Sequence, residues 1–192
     1  MKKITKENFS LQSKVLDFPS QRQVYDYDCG IATLQMILGY YGYDVSEGEL
    51  LNLLKISNEG TDPDTIIRGA SEFDLEGELI ENSDIQTVKN LIDKNIPVIS
   101  LVQAWATDKN VDWENEWECG HYVIAIGYNE KGFIFADPSS MLRTFLSYND
   151  FEKRWHDCSI DYEKKYYNSI ITITGEKPDF KNNFAIQMEY II

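Results

Sequence analysis

Apolar residues at Ile31, Leu34, Ile37, Leu38 and Tyr41 recur at helical spacing behind Asp28, and Gly39 and Gly42 mark the far end. This predicts a first helix that starts at or beside Cys29. Ser46 followed by Glu49 has the spacing of a capping box ahead of Leu50, Leu51, Leu53 and Leu54, so a second helix is expected there. Thr61, Asp62 and Pro63 open a third, and a fourth begins near Asp84. Between and after these the period shortens: residues 78–80 and 96–102 read as strands. Residues 122–128 and 132–136 flank Asn129-Glu130-Lys131 as a hairpin would, and residues 170–174 add a later strand. A helical front half followed by a strand-rich back half predicts an α+β fold on a mainly antiparallel sheet. No repeat, low-complexity tract or Gly/Ser linker divides the chain, so residues 1–192 are expected to form one domain. The apolar residues 184–192 are expected to dock, as a strand, a helix end or a contact with another chain.

Composition narrows the partners. With 18 basic and 32 acidic side chains the formal charge is −14, which disfavours nucleic acid and anionic membranes, because both are bound through clustered Lys and Arg. The longest apolar stretch, residues 96–106, is interrupted by Ser100 and Gln103 and falls short of the ~20 residues of a membrane span. The amino terminus is basic but turns polar where a signal peptide needs an apolar core, so cytoplasmic retention is expected. Three widely spaced cysteines, Cys29, Cys119 and Cys158, do not suggest a disulfide framework, leaving room for a working thiol in a reducing compartment.

The candidate thiol is Cys29 in Asp28-Cys29-Gly30. Unpaired N–H groups and the helix dipole favour a thiolate at a helix amino terminus, although a small buried cysteine at a helix start is an equally ordinary reading. His121 follows Gly120 at the start of the predicted hairpin, a rigid support for a base, or else a core histidine. Asp137 closes the second hairpin strand in Ala136-Asp137-Pro138, a sequence that also simply starts a turn. Together the three supply a nucleophile, a base to take and return its proton, and an acceptor to fix the imidazole tautomer. Gln23, six residues before Cys29, is an amide donor for a developing oxyanion.

At these positions the chain reads QVYDYDCGIATLQMILGYYG, GHYVIAIGY and FADPSS, and in this it resembles the C39-type peptidase family. The likeness spans about residues 23–157 and includes FEKRWHD, similar to an ending of stand-alone bacterial relatives. The resemblance implies a papain-like cysteine proteinase fold and hydrolysis of a peptide or isopeptide bond. It makes Cys29 the nucleophile, His121 the base, Asp137 the orienting residue and Gln23 the oxyanion donor. It calls for no metal or cofactor. Thr33 stands where many members place a second cysteine, and no transporter segment follows, so a Gly-Gly leader is not the expected substrate. Two alternatives stay open: acyl transfer through the same thiol, and a binding module without turnover.

Between residue 103 and His121, Trp105, Trp113 and Trp117 lie among Asp108, Asp112, Glu114, Glu116 and Glu118. Either they form an aromatic and acidic substrate-binding wall, or a solvated loop tucks its tryptophans onto the core. Cys119, two residues before His121, is placed by strand alternation where it could approach Cys29. His156, near an expected helix end, would gain from the helix dipole.

Overall fold

The computed structural model describes residues 14–25, 27–56, 60–108 and 110–176, so the docking expectation for residues 184–192 lies outside them. In chain order the elements are β1 (Lys14–Val15), α1 (Cys29–Tyr40), α2 (Glu47–Leu54), α3 (Pro63–Ser71), β2 (Glu76–Ile80), α4 (Ile85–Asp93), β3 (Val98–Gln103), β4 (Gly120–Tyr128), β5 (Gly132–Ala136), β6 (Thr144–Ser147), α5 (Tyr148–Arg154), β7 (His156–Cys158), β8 (Lys165–Tyr167) and β9 (Ile170–Thr174).

Helix starts follow their local chemistry. In α2 the Ser46 side chain accepts from the Glu49 N–H while Glu49 accepts from Ser46 N, satisfying orphan donors at both ends of the capping box. Lys55 then takes a left-handed conformation (φ 55°) that stops the helix. Pro63 opens α3, and Asp84 caps α4 by accepting from Thr87 N at 2.6 Å. The first helix differs in its burial: nine of its twelve residues are buried, and Asp28 at its N-cap, like Asp62 at that of α3, makes no side-chain bond into the helix. It packs against β4 on one side and α2 and α3 on the others, so it is a core helix rather than a surface one.

The main sheet has seven strands among the described residues, all pairs antiparallel, in the order β2-β9-β3-β4-β5-β6. β3 covers residues 120–125 of β4, and β1 continues along the same strand opposite Gly127 and Tyr128. The expected hairpin is there: Asn129 Oδ1 accepts from the N–H groups of Lys131 and Gly132 and shapes the turn. A Cβ at Gly132 would meet the Leu146 carbonyl at 2.0 Å, so only glycine lets β6 approach here. β6 and the separate β7-β8 ribbon were not signalled in the sequence; β6 is half-buried throughout and β7 and β8 are three residues each. His156 also corrects the sequence reading: α5 stops at Arg154, and His156 begins β7, where it hydrogen-bonds the Glu116 carbonyl at 2.7 Å instead of facing a helix end.

One aromatic cluster joins α5 to the sheet. The Phe151 ring lies 5.1 Å from Phe133, 5.8 Å from Phe135 and 4.5 Å from Trp155, all fully buried. Phe151→Ala is therefore expected to lower the unfolding free energy by about 3–5 kcal/mol in urea denaturation. A loss below about 1 kcal/mol would mean that α5 does not anchor to the sheet through this ring.

Candidate active site

Cys29 is the first residue of α1 and is partly buried. Its neighbour Gly30 has a packing reason: a Cβ there would meet the Thr61 side chain at 2.8 Å. Thr61 is fixed in turn by the Tyr122 hydroxyl, which donates to its carbonyl at 2.9 Å. The loop before the helix is closed by Tyr25 N donating to Asp28 Oδ2 at 3.0 Å.

His121 is the second residue of β4. Ile124 pairs with Ala136, so the same register continued by one residue sets Asp137 opposite Val123, on the face that also carries His121. The contact follows: His121 Nε2 and Asp137 Oδ1 are 2.9 Å apart, both buried. The remaining ring nitrogen, Nδ1, is left for the Cys29 side, and the thiol lines the same cavity as the imidazole and acts on its titration.

Three further groups hold the Asp137 carboxylate. Ser139 N donates to Oδ1 at 2.9 Å, and Trp105 Nε1 and Thr144 Oγ1 donate to Oδ2 at 3.2 and 3.3 Å. Burial opposes the charge, but the His121 bond, its positive charge and the Ser139 and Thr144 donors hold the carboxyl below the usual range. For His121, burial disfavours the cation; hydrogen bonds to Asp137 and Cys29 and their charges outweigh it and raise the imidazole to about 9.

Gln23 lies beside the same turn. Its backbone N–H donates to the Pro138 carbonyl at 2.9 Å, its Oε1 accepts from Ser139 Oγ at 3.2 Å, and its Nε2 donates to the Tyr25 carbonyl at 2.8 Å. One hydrogen of that amide is thus engaged and one is left.

The three tryptophans of the acidic segment part company. Trp117 lines a cavity of about 230 Å³ together with Cys29, Thr61, His121, Asp157 and Cys158. Trp105 instead donates to Asp137 from a left-handed backbone conformation (φ 63°) that a bulky residue adopts only when its surroundings hold it. Trp113 lies under the Arg154 guanidinium at 3.7 Å. The cysteine that shares the cavity with Cys29 is Cys158, not Cys119, whose N–H is tied to Gln103 Oε1 at 2.9 Å. Two acids escaped the sequence reading. Glu47, the first residue of α2, is buried against Asp28, and burial and that neighbour raise its carboxyl. Asp157 enters the cavity from β7. Neither carries a local sequence signal, since each meets its partners across the fold.

A sequence model described as the peptidase C39 family matches residues 17–166. The chain belongs to the peptidase C39 family. Among curated relatives, the pediocin PA-1 transport/processing ATP-binding protein PedD of Pediococcus acidilactici is 29% identical over 140 residues, 72% of this chain but 17% of that protein. The chain thus spans less than a fifth of the length of such transport/processing relatives. Among solved structures, the peptidase domain of Streptococcus ComA, a bifunctional ABC transporter of a quorum-sensing pathway, superposes with a TM-score of 0.57 at 22% identity, covering 80% of this chain and 95% of that one. A double glycine motif protease from an AMS/PCAT transporter, determined in complex with its leader peptide, superposes with a TM-score of 0.59 at 16% identity, covering 83% and 92%. At these identities the structures share the C39 papain-like fold, an α+β arrangement with an antiparallel sheet. No helix of the described residues is long and apolar enough to cross a membrane.

The His121–Asp137 pair gives a direct test, because the chain has only two histidines to assign. In ¹⁵N-detected NMR titrations His121 should keep its proton through pH 8 and release it at about 9, and Asp137→Asn should move that transition down. Since the folded value lies above the 6.5 of a free imidazole, the stability contributed by His121 is fully present below about pH 6.5 and is lost as pH rises through about 9, whereas that contributed by the lowered Asp137 carboxyl is lost in acid. A transition near 6.5 in both proteins would refute the pairing.

Proposed function

We propose that this protein is a cysteine peptidase that hydrolyses a peptide or isopeptide bond through an acyl-enzyme on Cys29. The observation that carries the reading is the buried imidazole held between a carboxylate and the only thiol at the start of a helix. Membership of a family of cysteine peptidases supports it.

In the first step the Cys29 sulfur attacks the carbonyl carbon, forming the C–S bond while the carbonyl oxygen takes the negative charge. The first N–H groups of α1 have no intrahelical acceptor and can face that oxygen, with the second amide hydrogen of Gln23 as a further donor. Collapse breaks the C–N bond, and the amine leaves with the proton from His121. His121 then takes a proton from water, the hydroxide oxygen displaces sulfur, and the carboxylic acid is released with the thiolate restored. Asp137 keeps Nε2 occupied throughout, so the proton is exchanged at Nδ1. The first substrates to assay are peptides, including a leader ending in Gly-Gly, because a structural relative is a double glycine motif protease complexed with a leader peptide.

Cys29→Ala is expected to abolish turnover, His121→Ala to lower kcat by about 10²–10⁴-fold, and Gln23→Ala by about 10²–10³-fold with KM little changed. Trapping the Cys29 acyl-enzyme by mass spectrometry after acid quench distinguishes this route from direct attack by water. Iodoacetamide labelling of Cys29 no faster than that of Cys119, and indifferent to His121→Ala, would refute the enzymatic reading.

A further inference from the structure

The cavity beside Cys29 and His121 is also lined by Asp157, a carboxyl group that the peptidase chemistry does not use. Asp157 is 8% exposed. Its Oδ1 accepts from Gln103 Nε2 at 3.1 Å and from Cys158 N at 2.8 Å, whereas Oδ2 has no hydrogen-bond partner among the described residues. Gly120 exists in this shape for it: a Cβ there would meet Asp157 Oδ1 at 2.5 Å and Oδ2 at 2.9 Å. A mostly buried carboxylate is normally paired, because charge is costly there, and Oδ2, which is not sealed from solvent, is open to such a partner. No Lys or Arg lines the cavity, and its other ionisable wall residue near Asp157, besides His121, tyrosines and thiols, is the acid Glu118.

We propose that Asp157 is the anionic end of a binding subsite, beside the nucleophile, that takes the ammonium or guanidinium group of a basic residue in the substrate peptide. A cation there would supply the partner that Oδ2 lacks, with Ile160 and Tyr162 as walls for the methylene stem. This deepens the reading of Cys29 as a peptidase nucleophile and rests on it for the word substrate. The electrostatic claim about the cavity stands separately and can be measured without turnover. Burial raises the Asp157 carboxyl to about 7, against the two hydrogen bonds and the His121 charge that favour its anion. The subsite is therefore charged above neutrality and discharged as pH falls below it. The charged groups facing it are Glu118 and His121 in the cavity, with Asp62, Tyr122 and Cys158 nearby and, from the paired strand β8, Lys165, whose ammonium lies 4.0 Å from the Trp117 ring; His121, at about 9, keeps its proton across this range.

The experiment uses two thiol reagents matched in shape, 2-(trimethylammonio)ethyl and 2-sulfonatoethyl methanethiosulfonate, with rates read at each cysteine by mass spectrometry at low salt and pH 8. Cys119, which has its own acidic neighbours Glu116 and Glu118, serves as the internal reference for each reagent. Asp157→Asn should lower the cation-to-anion rate ratio about tenfold at Cys29, as one unit charge a few ångströms away would, and leave Cys119 unchanged. In the unmutated protein the Cys29 ratio should also fall between pH 8 and pH 6, a readout that needs no variant to fold. A Cys29 ratio indifferent to both Asp157→Asn and pH would overturn the subsite, as would loss of the preference in Glu118→Gln with Asp157→Asn silent. Failure of the peptidase reading looks different: Cys29 labels no faster than Cys119 with either reagent, while the charge ratio stays readable.

Discussion

The site depends on the register of one hairpin. The β4–β5 pairing sets Asp137 on the same face as His121, sixteen residues apart in sequence and 2.9 Å apart in space. A slip of one residue would send one of the two side chains to the opposite face of the sheet. A bulge between Ala125 and Gly127 shifts the pairing by one residue, from Tyr128 opposite Phe133 near the turn to Ile124 opposite Ala136 near the site, and so puts Asp137 on the His121 face. The pairing is held on either side of the bulge. Asn129 and Gly132 shape the turn, and the buried strand β5 sends Phe133 and Phe135 into the aromatic cluster under α5. Burying a carboxylate with an imidazolium is costly unless the remaining lone pairs are satisfied, and here Trp105, Ser139 and Thr144 satisfy them. Those three donors come from the segment after β3, the turn after β5 and the start of β6, so the ion pair also draws these pieces together.

The thiol is positioned by a different set of constraints. Cys29 belongs to a helix buried on nearly all sides, so its place is set by core packing and not by a surface loop. Ahead of it, Asp28 folds the chain back on Tyr25, and the raised Glu47 carboxyl beside it can keep a proton between two acids that could not both be ionised while buried. Gly30 and Tyr122 bring residue 61 against the helix start. The cavity is thus bounded by the helix, by β4 and by β7, three elements whose relative positions the core fixes.

Sequence patterning reached the elements whose reasons are local. The capping box at Ser46 and Glu49, Pro63 at the start of α3, Asp84 at the start of α4 and the Asn129 turn each carry their explanation within four residues, and each is found where expected. Hydrophobic alternation does not reach β6, which is half-buried at every position, or the three-residue strands β7 and β8. The same divide runs through the site. His121 and Asp137 were legible on adjacent strands because a hairpin joins them, whereas the bulge between Ala125 and Gly127 that turns them to one face was not. The Trp105 bond to Asp137 needs a positive φ that no local motif demands, and Asp157 meets Gln103 across 54 residues.

Two carboxyl groups stand near one imidazole, and their surroundings give them opposite characters. Asp137 has four donors on its two oxygens, one of them His121, and so stays ionised although buried. Asp157 has two donors, both on one oxygen, and burial prevails, moving it to about 7. Of the two, only Asp137 is bonded to the ring, so it alone can fix the tautomer, and exchanging the two environments would exchange the roles. An acid with one oxygen unfilled is poorly suited to orient a base but well suited to accept a cation from outside the protein. The proposed roles, an orienting residue at Asp137 and a recognition residue at Asp157, thus follow from the number of donors each carboxyl meets.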